Sequence, residues 1–506
     1  MAAEEDTKLN FWFVGLFVLV TCAQAAAIFF SPLALAPDEA HYWEWSRRLD
    51  FSYYSKGPLV ALLIRASTSL LGDSEFAVRM PALICYSLFS LIFYLFIYRI
   101  YSPRAALISW IALRSTLIFA QMGVVMTTDA PAALFWLLAL VCAYAAAIEE
   151  WRWSWLLVGL FVGLGVLAKY TVILLYVGFA LTLFLSPMLR SQLRCWQLYA
   201  GMMLCALVIS PVILWNAEHG WVNFAHNAGH VVQGSKFALR PSFFFELLGG
   251  QLGLVGPLMF LGMCLALWDG WKGFREGDAR AGFFLWTSMP LIVLTVGVSW
   301  WKRVYANWPL PIYIGALALV VHIVMLRKRG MLSRFQGLIR PAIALNMLLT
   351  VIAHLPFLGI TLNVPGKYLT TKKLVGWQDL GAKVAESLAV AGANDPFVLA
   401  DDYEVASEIS FYVSSRPRTY CDYLSDRRMN QYDIWQGLQD ERGNDAIVVL
   451  KDPAKIEQVR PRFKLLEPIL PQPALAVSYS GSELNSFFLY RGIGYDGSLP
   501  ALPTKR

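Results

Sequence analysis

Charged residues are scarce in this chain of 506 residues. They make up 15% of the sequence, whereas 57% of the residues are hydrophobic. The mean hydropathy is +0.52, well above that of soluble globular proteins. This composition excludes an ordinary soluble enzyme and indicates an integral membrane protein.

The sequence also lacks the usual signs of disulfide, zinc and nucleic-acid chemistry. Of its seven cysteines only Cys421 lies outside the apolar segments and their borders. No disulfide is therefore expected in the C-terminal part, and no Cys-x-x-Cys pair indicates zinc. No basic stretch interleaved with aromatic residues predicts a nucleic-acid partner. The net charge of +7 is largely accounted for by Lys and Arg in short loops between apolar segments.

Apolar runs recur through the first 360 residues, most of them near the 20 residues that cross a bilayer. The runs at 105–120 and 154–168 are the shortest of them. We predict an α-helical polytopic membrane protein with about eleven transmembrane helices or more. The candidate spans are 10–30, 81–100, 105–120, 129–148, 154–168, 170–187, 196–215, 245–268, 281–299, 306–326 and 341–360.

Positive charge predicts the orientation. Lys and Arg collect in alternate short loops, which places those loops in the cytoplasm by the positive-inside rule. The first outer loop (31–80), a second outer loop (216–244) and everything after residue 360 then face outward. The functional site and the C-terminal region are therefore expected on the outer face of the membrane.

The outward-facing segments carry their own patterns. Residues 38–49 predict an amphipathic helix whose Trp43 and Trp45 suit the membrane interface, and 58–71 predict a second interfacial helix. After residue 360 the composition becomes that of a soluble α/β domain, with strands at 396–400, 446–450 and 485–490 and helices at 402–413 and 453–460. We therefore divide the chain into a transmembrane domain, 1–360, and a periplasmic α/β domain, 361–506.

Asp38 and Glu39 follow the first apolar segment. Acidic residues favour the first turn of a helix, which competes with a catalytic role for the pair. Lys56 lies on the same predicted face, where it either extends toward the headgroups or binds a phosphate. Asp129 precedes a span at its outer end, and a role at the helix N-terminus is the simpler interpretation there.

Further candidates are ambiguous in the same way. Lys169 and Arg303 lie at outer boundaries, where they either anchor the protein in the membrane or bind an anion. His219, His226 and His230 share the second outer loop, and they would ligate a metal only if the loop brought them together. Taken together, the acids and cations of this face could activate a hydroxyl and stabilise a phosphate leaving group.

Four motifs resemble those of the C-type polytopic glycosyltransferases that use polyprenyl-phosphate sugars. The likeness is greatest to the bacterial lipid A aminoarabinose transferases and the protein O-mannosyltransferases, and it covers roughly residues 10–330. The motifs are Pro37-Asp38-Glu39-Ala40-His41-Tyr42, Tyr53-Tyr54-Ser55-Lys56-Gly57-Pro58-Leu59, Thr128-Asp129-Ala130-Pro131, and Gly163-Leu164-Gly165-Val166-Leu167-Ala168-Lys169-Tyr170.

The resemblance implies a location in a bacterial inner membrane, with the active site and the C-terminal domain in the periplasm. It also implies a mechanism. Asp38 would be the general base or would orient the acceptor hydroxyl for an inverting attack, and a polyprenyl phosphate would leave. Asp129 would position Lys56 or the sugar, and Glu39 would assist catalysis or bind a metal. The residues assigned to substrate binding are Lys56, Tyr53, Tyr54, Lys169, Arg303 and His41.

Two departures from the family pattern concern the metal and the phosphate. Ser55 stands where some relatives carry a metal-binding acid, so no metal ligand is assigned, although a divalent metal is kept as an alternative. No arginine lies between His219 and Gln233, and Lys236 or Arg240 would have to replace it.

The leading hypothesis is transfer of a single sugar to lipid A, a lipopolysaccharide or another cell-envelope glycolipid. A protein Ser or Thr hydroxyl is the alternative acceptor. A transporter of lipid-linked sugars is a third reading, disfavoured because the notable charges lie at the outer boundary rather than at the bilayer midplane.

Overall fold

A computed structural model describes residues 2–229, 238–328, 330–334, 336–360, 371–391, 396–421, 429–479 and 482–498. Within these residues, the part before residue 360 is helical and the strands all lie after residue 396. A π-helical turn, Ile323–Arg327, extends α15. The helices are α1 Ala2–Phe29, α2 Pro37–Arg47, α3 Leu59–Leu71, α4 Glu75–Ile100, α5 Pro103–Ser115, α6 Leu117–Met122, α7 Asp129–Ala147, α8 Ser154–Ala168, α9 Leu174–Leu185, α10 Trp196–Glu218, α11 Val222–Gly229, α12 Pro241–Val255, α13 Pro257–Arg275, α14 Ala279–Val298, α15 Leu310–His322, α16 Met331–Arg334, α17 Ile339–His354, α18 Trp377–Ala391, α19 Tyr403–Tyr412, α20 Gln431–Trp435 and α21 Ile456–Val459.

The predicted polytopic architecture is confirmed. In the described part of the chain, seven helices are long and apolar enough to cross a membrane, or up to nine if each of two bent pairs forms one span. All eleven predicted runs are helical, but α5 and α8 have only 13 and 15 residues. The count of eleven spans therefore stays a prediction.

Two predicted spans are not straight. The run at 170–187 leads into a 3-10 segment, Pro187–Arg194, that departs at 117°. The prediction of a single helix at 245–268 is wrong, because α12 and α13 meet there at 108°. The backbone turns at Gly256, whose φ of +81° suits glycine, and Pro257 begins the next helix.

Asn346 of α17 stabilises the break between α12 and α13. Its amide nitrogen donates to the Val255 carbonyl at 2.8 Å, which α12 itself no longer satisfies. A side chain at Gly256 would lie 1.7 Å from the Asn346 oxygen. A polar group at membrane depth needs a partner inside the protein, so the asparagine and the glycine make this bend together.

The two helices predicted in the first outer loop are present as α2 and α3. The prediction that Trp43 and Trp45 lie at the membrane interface is wrong, because both are fully buried. Trp43 packs edge-on against Phe411 with 4.9 Å between ring centroids, and Trp45 stacks on Tyr53 at 4.3 Å. Residues distant in sequence cover α2, and helical periodicity does not reveal them.

A sheet follows in the C-terminal region, defined here as residues 371–498. Its strand order is β2-β1-β3-β6-β4, with β5 paired to β6. β1 runs parallel to β2 and β3, and β6 is antiparallel to its neighbours. The predicted strands and the helix at 402–413 are confirmed; the separate soluble domain and the boundary at 360 stay predictions. The strands are β1 Phe397–Ala400, β2 Thr419–Cys421, β3 Ala446–Leu450, β4 Phe463–Pro468, β5 Leu475–Tyr479 and β6 Ser482–Tyr495.

The C-terminal region sits directly on the first outer loop. Helix α19 packs along α2, and polar contacts fix the two parts relative to each other. These contacts are Leu35 N–H to the Tyr412 hydroxyl at 2.7 Å, the Tyr412 hydroxyl to Glu75 at 3.1 Å, His41 Nδ1 to Ser407 Oγ at 2.8 Å, Tyr54 N–H to Gln431 Oε1 at 2.6 Å, and the Tyr432 hydroxyl to Glu44.

A buried ion pair fixes the start of α2. The side chains of Glu39 and Arg79 are both 0% exposed and lie 3.1 Å apart. Glu39 also accepts the N–H groups of Ala36 at 2.8 Å and Met126 at 2.7 Å. Arg79 donates to the carbonyl of Ala34 as well. One carboxylate therefore connects the segment before α2, helix α4 and the segment before α7.

The substitution Glu39→Gln is expected to destabilise the protein strongly. It leaves the Arg79 charge buried without its counter-charge, and breaking a buried pair in this way costs about 3–5 kcal/mol. Thermal unfolding of the purified protein in detergent should show a clearly lower Tm. The matched control is Glu4→Gln in the exposed Glu4–Lys8 pair, which should leave Tm unchanged. Equal Tm values for both variants would contradict the assignment.

Candidate active site

A polar cavity of about 520 Å³ opens where the helical bundle meets the C-terminal region. The segment 54–56, helix α2, the N-terminus of α7 and the segment before α15 form its walls on the bundle side. Its lining residues are Asp38, His41, Tyr42, Tyr54, Ser55, Lys56, Thr127, Thr128, Asp129, Lys169, His226, Tyr305, Asn307, Trp308, Asp401, Asp402, Tyr403, Met429, Asn430, Gln431 and Lys455.

Asp38 presents its carboxylate to this cavity from the first turn of α2. The side chain is accessible from the cavity, yet protein surrounds it on all sides. This burial raises the pKa of Asp38, while the Lys56 charge lowers it, Glu404 raises it and Lys373 lowers it. Within the described residues, no cation lies within ion-pair distance of Asp38. A hydrogen bond with the Tyr403 side chain also lowers the pKa of this carboxylate.

Lys56 faces the same cavity from the loop between α2 and α3. No carboxylate of the described residues lies within ion-pair distance of its ammonium group. Burial lowers the pKa of Lys56, the nearby Lys169 charge lowers it further, and Asp38 and Asp129 raise it. A buried ammonium group without an ion pair is well suited to bind an anion.

The backbone around Lys56 is held by α11, in the second outer loop. Asn223 donates its amide to the Tyr53 carbonyl and, at 3.3 Å, to the Lys56 carbonyl. Asn227, one helical turn further, donates to the Ser55 carbonyl at 3.2 Å. Residues four apart lie on one face of a helix, so both amides point at the loop. They position Lys56 without lining the cavity themselves.

The contacts of Asp129 differ from those of Asp38. One of its oxygens binds the Lys169 ammonium at 2.6 Å, and the other accepts the Asn307 amide at 2.6 Å. Both carboxylate oxygens therefore already have partners, and Asp129 orients Lys169 toward the cavity. From the resemblance, Asp129 was expected to position Lys56 or the sugar, whereas the structure pairs it with Lys169.

Three predicted site residues do not line the cavity. Glu39 is engaged in the buried contacts described above. Tyr53 stacks on Trp45, and its hydroxyl donates to the Trp45 carbonyl at 3.1 Å. Arg303 pairs with Glu246 on the surface. The geometry supports structural roles for all three rather than the predicted catalytic and binding roles.

His41 and Tyr54 do line the cavity, as predicted for substrate binding. His41 contacts Ser407 through Nδ1, and burial lowers its pKa to about 3, so the ring is neutral near pH 7. The Tyr54 ring lies 4.6 Å from the His226 ring. Both side chains form part of the cavity wall, and neither contributes a charge to it.

Comparisons with known proteins find similarity to glycosyltransferases. A family described as dolichyl-phosphate-mannose-protein mannosyltransferase matches residues 55–215. The lipid A galacturonosyltransferase RgtD of Rhizobium johnstonii is 26% identical over 378 residues, which are 74% of this chain and 76% of that protein. The undecaprenyl phosphate-alpha-4-amino-4-deoxy-L-arabinose arabinosyl transferase of Erwinia tasmaniensis is 25% identical over 316 residues, 56% of this chain and 54% of that protein.

The fold is also found in a solved structure. The crystal structure of ArnT from Cupriavidus metallidurans bound to undecaprenyl phosphate matches with a TM-score of 0.63 at 15% identity. The match covers 94% of this chain and 98% of that one. In sequence and in fold, the chain is similar to the C-type polytopic glycosyltransferases. The predicted family and enzyme class are confirmed, and the transporter reading is set aside.

Several residues of this glycosyltransferase site were not found from the sequence. Asn307, Asp402 and Tyr403 were not assigned to it, and the latter two come from the C-terminal region. A signal for Asp401 and Asp402 was present, because they directly follow the predicted strand 396–400. Ligands commonly bind beyond the carboxyl ends of parallel strands, and β1 is such a strand.

A divalent metal was kept only as an alternative, and no ligand was assigned to it. In the part of the chain that is described, no group of three or more His, Cys, Asp or Glu residues is placed to hold a metal ion. His219 stacks on Trp215 with 4.0 Å between centroids, apart from His226. His230 and Lys236 lie outside the described residues, and Arg240 does not line the cavity. A divalent metal in this glycosyltransferase stays a prediction.

The substitution Asn223→Asp is expected to weaken binding of the glycosyl donor. A carboxylate cannot donate to the Tyr53 and Lys56 carbonyls, so the Lys56 loop loses two hydrogen bonds. We expect this loss to raise KM on the order of tenfold. Steady-state kinetics should show KM rising more than kcat falls. Asn216→Asp is the control, because it makes the same exchange and loses a hydrogen bond to the Val212 carbonyl in its own helix, while its retained oxygen still accepts the Phe224 N–H.

The substitutions Asn223→Asp and Asn216→Asp can also be used to test whether Asn223 is coupled to Lys56. If Asn223 acts through Lys56, then Asn223→Asp should change KM little in a Lys56→Met background. A similar fold-change in both backgrounds would contradict this, as would an equal effect of the Asn216→Asp control.

Proposed function

We propose that this protein transfers a single sugar, with inversion, from a polyprenyl-phosphate donor to a lipid A or another envelope glycolipid acceptor. The reaction takes place at the periplasmic face of the inner membrane. One observation carries the proposal: a single cavity holds the carboxylate of Asp38 and the ammonium group of Lys56, and neither forms an ion pair with any residue that the structure describes.

The two groups suit the two ends of an inverting displacement. Asp38 accepts the proton of the acceptor hydroxyl as its oxygen attacks the anomeric carbon. The bond from that carbon to the phosphate oxygen breaks, and polyprenyl phosphate leaves with the bonding electron pair. Because the pKa of Asp38 is raised above its ordinary value, this carboxylate is a stronger base than an ordinary one.

Lys56 and Lys169 neutralise the phosphate that leaves. The Lys169 charge acts on Lys56, so the two ammonium groups lie close together, and Asp129 keeps Lys169 in place. The phosphodiester of the donor becomes a polyprenyl phosphate monoester and gains negative charge as its bond to the sugar breaks, and fixed cations stabilise that charge in the transition state. Lys56 supplies the stronger attraction, since no carboxylate of the described residues competes for it.

Relatives support the lipid substrates. One curated relative is named a lipid A galacturonosyltransferase, and another is named for an undecaprenyl phosphate-linked aminoarabinose. The matching family is described by a protein acceptor, which keeps a Ser or Thr hydroxyl as the alternative. The periplasmic orientation rests on the alternation of Lys and Arg in the loops.

The substitution Asp38→Asn should abolish sugar transfer while the fold is retained. Loss of a positioned general base typically costs about 10²–10⁴ in rate. The measurement is release of polyprenyl phosphate from a panel of polyprenyl-phosphate sugars, with lipid A and with a Ser/Thr-rich peptide as separate acceptors. Asp379→Asn, at an exposed position of α18, is the matched control and should keep full activity.

The outcomes separate the possibilities. Product with lipid A alone supports the proposal, whereas product with the peptide alone favours the protein acceptor. Full activity of Asp38→Asn would remove this residue from the reaction. No release by the wild type with any donor would overturn the proposed function.

The pH profile should respond in opposite directions to two neighbours of Asp38. The base acts when ionised, so the rate falls as pH drops through its raised pKa. Lys373 lowers that pKa and Glu404 raises it. Lys373→Met should therefore move the acid limb of kcat/KM to higher pH, and Glu404→Gln should move it to lower pH. Shifts in one direction for both variants would contradict the assignment of the limb to Asp38.

A further inference from the structure

A second cavity lies within the bundle, far from the candidate active site. It has a volume of about 1020 Å³ and an almost wholly apolar lining. Helices α5 and α17 form two of its sides, and α13, α15 and α16 form the others. We call it the α5–α17 cleft. Along α5 it is lined by Ala105, Ile108, Ser109, Ile111 and Ala112, and along α17 by Ile339, Arg340, Ala342, Ile343, Ala344 and Met347.

The cleft opens at the end of the bundle opposite the candidate active site. Helix α4 begins at Glu75, which contacts the C-terminal region through Tyr412, and it ends 26 residues later at Ile100. At about 1.5 Å per residue this crosses the whole hydrocarbon layer. Helix α5 starts immediately afterwards, at Pro103, so the N-terminal end of α5 lies at the other membrane face.

Two arginines stand at the mouth of this cleft. Arg104 and Arg340 lie in the first turns of α5 and α17, and both are exposed. Neither has a carboxylate of the described residues within ion-pair distance. Their neighbours Ala105 and Ile339 line the cleft, as does Arg340 itself. The cleft therefore combines an apolar interior with cationic groups at its entrance.

The register of the two helices brings these arginines together. Near their other ends, Thr350 donates to the Ser115 carbonyl at 2.7 Å and Asn346 to the Thr116 hydroxyl at 3.3 Å. The two helices run in the same direction. A residue of α5 therefore lies at the same height along the bundle as the residue of α17 whose number is 230–235 higher. Arg340 then lies within about one to two helical turns of the level of Arg104.

We propose that the α5–α17 cleft binds an anionic phospholipid from the leaflet opposite the active site. Its acyl chains occupy the apolar interior, and Arg104 and Arg340 bind the phosphate headgroup. Arginine favours phosphate because its planar group offers several donors.

The dimensions fit this occupant. From Ala105 to Ala112 the cleft runs about 10 Å along α5, a substantial part of the roughly 15 Å thickness of the hydrocarbon of one leaflet. The hydrogen bond between Asn346 and Thr116 lies at the inner end. Membrane lipids cover any apolar groove, but the pair of arginines predicts selection by headgroup charge. A zwitterionic lipid with the same chains should bind more weakly.

Native mass spectrometry of the purified full-length protein tests the proposal. The protein is titrated with phosphatidylglycerol or phosphatidylethanolamine of identical chains. The wild type should prefer phosphatidylglycerol. Each arginine near an anionic lipid contributes about a fivefold factor, so Arg104→Gln with Arg340→Gln should weaken phosphatidylglycerol binding about 30-fold. Phosphatidylethanolamine binding should change little.

Two further variants distinguish the cleft from the surface in general. Arg152→Gln, an exposed arginine in the loop after α7 at the same membrane face, should leave the preference intact. Ala344→Phe places a large ring in the cleft at an exposed position and should remove one bound lipid of either class. A preference that survives the double arginine variant overturns the proposal, as does unchanged lipid stoichiometry in Ala344→Phe. Displacement of phosphatidylglycerol by equimolar undecaprenyl phosphate would overturn the choice of phospholipid.

Discussion

The candidate active site depends on one buried ion pair, Glu39 with Arg79. The carboxylate of Glu39 binds the guanidinium group and two backbone N–H groups, those of Ala36 and Met126. Those contacts fix the first turn of α2 and the segment that leads to α7. Asp38 lies two residues beyond Ala36, and Asp129 lies three residues beyond Met126, so the same pair sets the geometry of both.

Three acidic residues of one site therefore have three different tasks because their surroundings differ. Glu39 has a full set of donors and no access to the cavity, so it is structural. Asp129 divides its oxygens between Lys169 and Asn307 and orients a cation. Of the three, only Asp38 faces the cavity with no cation from the described part of the chain within ion-pair distance, and burial raises its pKa. Asp38 thus differs from Glu39 and Asp129 in its contacts, and these contacts leave its carboxylate suited to general-base catalysis.

The C-terminal region contributes to the site instead of merely adjoining it. Tyr403 and Asp402 come from the start of α19, and Gln431 holds the loop of Lys56 through the Tyr54 N–H. Because α19 covers α2, the tryptophans of α2 are buried, and the start of α19 closes one side of the cavity. The second outer loop has a matching role from the bundle side, since its Asn223 and Asn227 bind the carbonyls of the same loop.

The sequence by itself determined the membrane class, the helical character of all eleven runs and the location of the strands, because composition and periodicity are local properties. It also determined Asp38, Lys56, Asp129 and Lys169 as candidates, since charges beside apolar segments are conspicuous. Only the tertiary structure decided that Glu39 is buried, that Lys169 rather than Lys56 pairs with Asp129, and that α12 and α13 are bent apart. Each of these depends on a partner distant in the chain, namely Arg79, Asn307 and Asn346, and no local pattern identifies such a partner.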